Sequence, residues 1–141
     1  MLAGLLFATH EAEDGAGRMV ATLPLAGGTL IEHQARQLVE AGASQLVVIA
    51  QRLTPELLGA LSRIGRRVTV DAVRSAAEAA EKLHPLSRVL MVADGLVTTD
   101  AAVAALAGEG GDALLTLPDR GSPGRFERVG GQSLWAGIAR L

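Results

Sequence analysis

The stretch TLIEHQARQLVEAGASQLVVIA, residues 29–50, decides the fold class. Thr29 and Glu32 stand in the S/T-x-x-E spacing, in which a hydroxyl and a carboxylate satisfy the free N–H groups at a helix start. Leu30, Ile31, Ala35, Leu38 and Val39 then repeat at the spacing of one buried stripe, and Gly42 supplies the permissive residue at the helix end. Gln45 to Ala50 follows as a β-rich run. A helix that hands over to a strand within a few residues is the repeating step of an α/β domain.

The step recurs on both sides. Leu2 to Phe7 is a continuous apolar run, the form of a central strand buried on both faces. Thr54-Pro55-Glu56 combines a cap, a proline at the first helical position and an acid in the first turn, which predicts a helix over Pro55 to Ile64. Val68 to Val70 makes a third, shorter strand. Ser75-Ala76-Ala77-Glu78 opens a helix that stops near His84, since Pro85 disfavours its continuation. Arg88 to Ala93 contains the strongest strand, Val89 to Val92, and ends at Asp94-Gly95. Thr99-Asp100 caps an alanine-rich helix reaching about Ala107, and Ala113 to Leu117 is a fifth strand. The alternation predicts a three-layer α/β domain with a mainly parallel sheet, centred on Leu2 to Phe7 and Val89 to Val92. Arg125 to Val129 and Leu134 to Leu141 are short β-like stretches with no helix between them. They are expected as an antiparallel C-terminal edge, with a short helix from Ser133 as the competing reading. Phe126 or Trp135 is expected beside that edge, where a second copy of the chain or a further C-terminal region covers it; alternatively, Trp135 closes the core.

With 141 residues the expectation is one domain, 1–141, complete or the N-terminal part of a longer protein. Half the residues are hydrophobic (49%) but only 2% are aromatic, so the core is built from Ala, Val, Leu and Ile. Thirteen basic against fifteen acidic residues leave a formal charge of −2, which argues against general nucleic-acid binding. The absence of cysteine excludes disulfides, thiolate nucleophiles and Cys-ligated zinc, and permits a reducing compartment. The longest apolar runs fall short of the roughly 20 residues of a membrane-spanning helix, and Met1 to Phe7 has no basic leader. A soluble cytoplasmic domain is the expectation.

In open parallel sheets, ligands bind at the carboxyl ends of the strands. Two features fall there. One is the segment after the first strand, from Ala8 to Gly28, long enough to suggest function. Its Asp14-Gly15-Ala16-Gly17-Arg18-Met19 carries glycines that let backbone N–H groups approach a phosphate, and an arginine that adds charge. It is neither a Walker loop nor a full G-x-G-x-x-G, and a plain flexible turn is the other reading. The second feature is Asp94, a carboxylate placed to hold Mg²⁺ or simply a turn aspartate before glycine.

The order of first strand, Gly-x-Gly-Arg-Met loop, Leu23-Pro24-Leu25-Ala26-Gly27-Gly28-Thr29-Leu30-Ile31-Glu32-His33, and a later strand ending in Asp94 resembles the MobA-like and sugar-phosphate nucleotidyltransferases. The resemblance implies a Rossmann-like sheet, an NTP wrapped by the glycine loop, and magnesium on Asp94. Carried over by position, Gly15, Gly17 and Arg18 look like the phosphate loop, Pro24 and Gly27 look like the loop-to-helix junction, and Arg18 and Asp94 look catalytic. The implied reaction moves a nucleotidyl group from an NTP to a small phosphorylated alcohol or sugar. The chain departs from the pattern where the family carries a lysine shortly before the proline: Ala21-Thr22 stand there, and the only lysine is Lys82. Glu11, Glu13 and Asp14 add negative charge to the loop. These departures argue for weak or lost activity. The alternative is a non-catalytic regulatory or assembly module. A second acidic ligand is sought in Asp112 or Asp119.

Other candidates carry less. His10, His33 and His84 are scattered, and Ser122 and Ser133 lack a nucleophile context. Arg63, Arg66 and Arg67 form a small basic cluster that reads as a solvated turn or as an anion site.

Overall fold

The computed structural model describes residues 1–13, 15–118, 128–130 and 133–141. In chain order the elements are β1 (Leu2–Ala8), a 3₁₀ turn (Val20–Thr22), β2 (Pro24–Leu25), β3 (Gly28–Thr29), α1 (Leu30–Glu40), β4 (Ala43–Ala50) and α2 (Pro55–Ile64). They continue with β5 (Thr69–Val73), α3 (Ala76–Lys82), β6 (Arg88–Val92), α4 (Asp100–Ala107), β7 (Ala113–Pro118), β8 (Arg128–Gly130) and β9 (Ser133–Arg140). All four capping signals do what their spacing predicts. The side chains of Thr29, Thr54, Ser75 and Thr99 accept hydrogen bonds from the backbone N–H groups of Glu32, Leu57, Glu78 and Ala102.

The large sheet has the order β5-β4-β1-β6-β9-β7, with β8 paired to β9. β1 lies between β4 and β6, parallel to both, and β4 is parallel to β5. β9 runs antiparallel to β6 and to β7, so Ser133 begins a strand and not a helix. The antiparallel part of the sheet is thus a strand slotted beside β6, with β7 beyond it. This is the layered α/β architecture that the alternation of elements predicts, with the Rossmann-like sheet that the resemblance implies. Phe126 and the Trp135 side chain lie outside the described residues.

Strand periodicity divides the core into two faces. Leu6, Leu46, Val48, Leu90, Val92 and Ile138 pack with α1, α2 and α4 on one face. Val47, Ile49 and Val73 pack with Ala79 of α3 on the other. Gly4 makes the contact of α1 with β1 possible. A Cβ on it would stand 2.6 Å from both Leu38 Cδ1 and Leu46 Cδ2, so only a residue without one leaves room for Leu38.

Glu32 serves α1 twice. Its backbone N–H binds the Thr29 hydroxyl, and its carboxylate takes Arg63 of α2 in a forked contact at 2.8 to 3.2 Å. The Arg63 guanidinium, helped by the Thr29 hydroxyl, holds the carboxyl below the ordinary glutamate value of 4.5 against the opposing effect of burial. A depressed folded-state pKa gives stability that is present above the unfolded value and lost as pH falls through the folded one. The urea midpoint of the wild type is therefore expected to drop more steeply below pH 4.5 than that of Arg63→Gln. Equal slopes would remove this pair from the acid response.

Candidate functional site

Because β1 and β6 pair in parallel register, Leu6 opposite Val92, the residues that follow them emerge side by side. Asp94 uses this adjacency. Its Oδ2 accepts hydrogen bonds from the backbone N–H groups of Thr9 and His10, both at 2.8 Å, and lies 3.2 Å from His10 Nδ1. The carboxylate is 4% exposed. Its Oδ1 is buried and has no hydrogen-bond partner among the described residues. Gly95 then turns the chain at φ +76°, and a Cβ there would stand 2.8 Å from Val20 Cγ1. The Asp94-Gly95 turn and the 3₁₀ turn are thereby packed together.

The segment after β1 is closed by hydrogen bonds. Ala12 N–H donates to Arg18 O (2.7 Å) and Val20 N–H to His10 O (3.0 Å), around an antiparallel bridge between Glu11 and Met19. Met19 is buried and ties the ring to the core. Gly15 and Gly17 sit in the ring at φ +70° and +71°, with open space where a Cβ would be. Arg52, just beyond β4, donates to Gly17 O at 2.8 Å and pairs with Glu11 at 3.0 Å. Part of the loop's negative charge is thus offset by a residue that motif reading overlooks. The available signal was its place after a strand's carboxyl end, where the other site residues also lie.

Gly15, Gly17 and Arg18 therefore share one end of the sheet with Asp94, joined through His10, whose N–H meets Asp94 and whose carbonyl meets Val20. Pro24 and Gly27 lie elsewhere, in the β2–β3 hairpin. Pro24 pairs with Thr29, and Ala26 and Gly27 form the two-residue turn at φ +52° and +81°. This hairpin sets the start of α1, where Leu30 N–H donates to Leu23 O at 2.9 Å.

Two glutamines of α1 hold the segment from Ala93 to Asp100, and sequence patterning gave no sign of them. Gln34, 1% exposed, donates through Nε2 to Ala93 O (3.2 Å) and Leu96 O (2.8 Å), bracketing Asp94-Gly95. Gln37 donates to Thr98 O (2.9 Å) and Asp100 Oδ1 (2.8 Å), and this bond, assisted by Arg36, holds the Asp100 carboxyl below its usual range.

At this end of the sheet, the Oδ1 of Asp94 is a buried carboxylate oxygen without a hydrogen-bond partner among the described residues. Among the described residues there is no cluster of three or more His, Cys, Asp or Glu side chains suited to a metal. Asp112 precedes β7, which runs parallel to β6 through the intervening β9, so it lies at the opposite end of the sheet from Asp94. Asp119 and Asp14 lie outside the described residues. One carboxylate, with phosphate oxygens and water completing the shell, is a donor set that Mg²⁺ commonly takes from a protein. Lys82 closes α3 on the other face of the sheet.

Solved structures share this architecture. A nucleotidyl transferase from Methanothermobacter thermautotroptrophicus (Mth528) matches with TM-score 0.61 and 22% identity over 76% of this chain and 56% of that one. HddC from Yersinia pseudotuberculosis matches with TM-score 0.65 and 11% identity, covering 100% of this chain and 76% of that one. A UDP-glucose pyrophosphorylase complexed with UDP-glucose gives TM-score 0.67 and 10% identity, with the same coverage. The chain has their fold. It spans a little over half the length of the Methanothermobacter protein. No protein-family model and no curated protein matches it in sequence. Among the described residues no helix is long and apolar enough to cross a membrane.

Proposed function

We propose that this chain is a nucleotidyltransferase domain that binds a nucleoside triphosphate at the Gly15–Arg18 loop and transfers its nucleotidyl group to a small phosphorylated alcohol or sugar. The observation that carries the reading is the buried, unpartnered Oδ1 of Asp94 at the same sheet end as two glycines with open space around them. An unsatisfied buried carboxylate oxygen is costly unless a ligand completes it. The shared fold with a nucleotidyl transferase and a UDP-glucose pyrophosphorylase supports it.

In this reading Gly15 and Gly17 let backbone N–H groups approach the triphosphate, and Arg18 adds a fixed positive charge. Asp94, immobilised by the Thr9 and His10 amides, would hold Mg²⁺, which when bound offsets charge on the phosphates. A phosphate oxygen of the acceptor forms a bond to the α-phosphorus, the bond from that phosphorus to the bridging oxygen breaks, and pyrophosphate leaves with the electron pair. Arg52 steadies the loop during this exchange by holding Gly17 O.

Calorimetric titration of CTP, GTP, ATP and UTP with magnesium tests the site. Asp94→Ala and Arg18→Ala are each expected to weaken the preferred nucleotide roughly tenfold or more, the worth of one charge-assisted contact. Unchanged binding in both variants refutes the site. A non-catalytic regulatory or assembly module is the second reading, favoured by the commitment of Asp94 Oδ2 to two backbone amides. In that case Asp94 acts as a latch on the loop, and none of the four nucleotides binds.

A further inference from the structure

Between α1 and α2 lies a groove of about 440 Å³, to which Asp94, Thr9, His10 and the glycine loop contribute nothing. Its volume falls within the span of small-molecule sites, roughly 300–1,000 Å³. α1 forms one wall, and the end of α2 with the turn leading to β5 forms the other; the β2–β3 hairpin closes one end. Four arginines line it against two glutamates, in a chain whose overall charge is −2.

The arginines are not equivalent. Arg63 is held by Glu32, and Arg36 by Glu40 at 2.8 Å. Arg66 and Arg67 hydrogen-bond through their backbone N–H groups, to Arg63 O and Ile64 O, and neither guanidinium has an acidic partner among the described residues. Cations at a helix C-terminus complement its dipole, which accounts for basic residues here. It does not account for a concave floor of Val39, Ile64 and Val68 beside them.

We propose that this groove is a second ligand site, separate from the nucleotide site, that takes a small organic phosphate. Its phosphoryl group lies on Arg66 and Arg67, and its apolar body on Val39, Ile64 and Val68. Guanidinium groups suit this pairing because their planar donors match phosphate oxygens two at a time.

The probe is phenyl phosphate, which carries both features, followed by amide NMR without nucleotide or divalent cation. Inorganic phosphate serves as the comparison. Phenyl phosphate is expected to move the amides of Arg66, Arg67, Val39 and Gly27 and to bind more tightly than inorganic phosphate. R66Q/R67Q is expected to weaken it about tenfold or more, and Arg18→Ala to leave it unchanged. Both arginines are exposed, so the variant's remaining spectrum should superimpose on the wild type. Val39→Glu, which sets an anion on the floor of the groove, should abolish binding independently. Equal affinity for the two anions, full affinity in R66Q/R67Q, or shifts confined to residues 10–20 and lost in Arg18→Ala would each overturn the proposal. Loss of nucleotide binding in Asp94→Ala bears only on the other site.

Discussion

Asp94→Ala is expected to lower stability by about 1–3 kcal/mol, because it strips the acceptor from two backbone N–H groups at once. Thr9 and His10 both rely on Oδ2 at 2.8 Å, and with it gone this side-chain link between the ends of β1 and β6 is lost. Amide exchange at Thr9 and His10 should accelerate accordingly, with Ala12 and Val20 following because the ring hangs from His10. Asp94→Asn separates the two duties of this residue. Its amide oxygen can still accept from both N–H groups, so most stability should return, while the charge that would hold a cation is absent. Stability restored together with magnesium-dependent nucleotide binding would show that the carboxylate charge has no part in the site. A destabilisation of Asp94→Ala below the detection limit of urea unfolding would refute the anchoring role.

The second large effect concerns packing between β1 and α1. Gly4→Ala places a methyl 2.6 Å from the methyls of two fully buried leucines, and overpacking of this kind costs about 1–3 kcal/mol. Leu38→Ala, at a fully buried position, is expected to cost about 2–5 kcal/mol through lost burial and the cavity left behind. The combination should be less damaging than the sum, since the cavity of one variant admits part of the methyl of the other. Additive losses in urea unfolding would mean that Leu46, and not Leu38, sets the limit at Gly4.

The parts of the fold that local chemistry writes were legible in the sequence. Each cap links residues three apart, so Thr29 with Glu32 or Ser75 with Glu78 can be read without a partner elsewhere. Strand–helix alternation likewise gave the class of the sheet and its centre. The slot of β9 beside β6 was not legible, because strand pairing joins residues such as Leu90 and Arg140 across the chain by a register no local pattern encodes. The site divides along the same line. Gly15, Gly17 and Asp94 belong to a recognisable order, whereas Gln34 acts on the backbone carbonyl of Ala93, which leaves no mark on sequence, and Arg52 is marked only by its place just after β4. The Arg63, Arg66, Arg67 cluster was visible, but the opposing wall that turns it into a groove comes from α1.

The position of β9 bears on how the molecule is made. Synthesis is vectorial, and β6 leaves the ribosome with β1 already available on one side and nothing for its other side. β7 emerges next but meets β9, not β6, so it has no seat in the sheet until residues 133–140 arrive. During that interval the outer edge of a central strand is bare, the condition in which nascent chains pair with one another. The late strand therefore acts as a closing stitch, and until it is drawn through, the open edge of β6 is a place where one chain can pair with another.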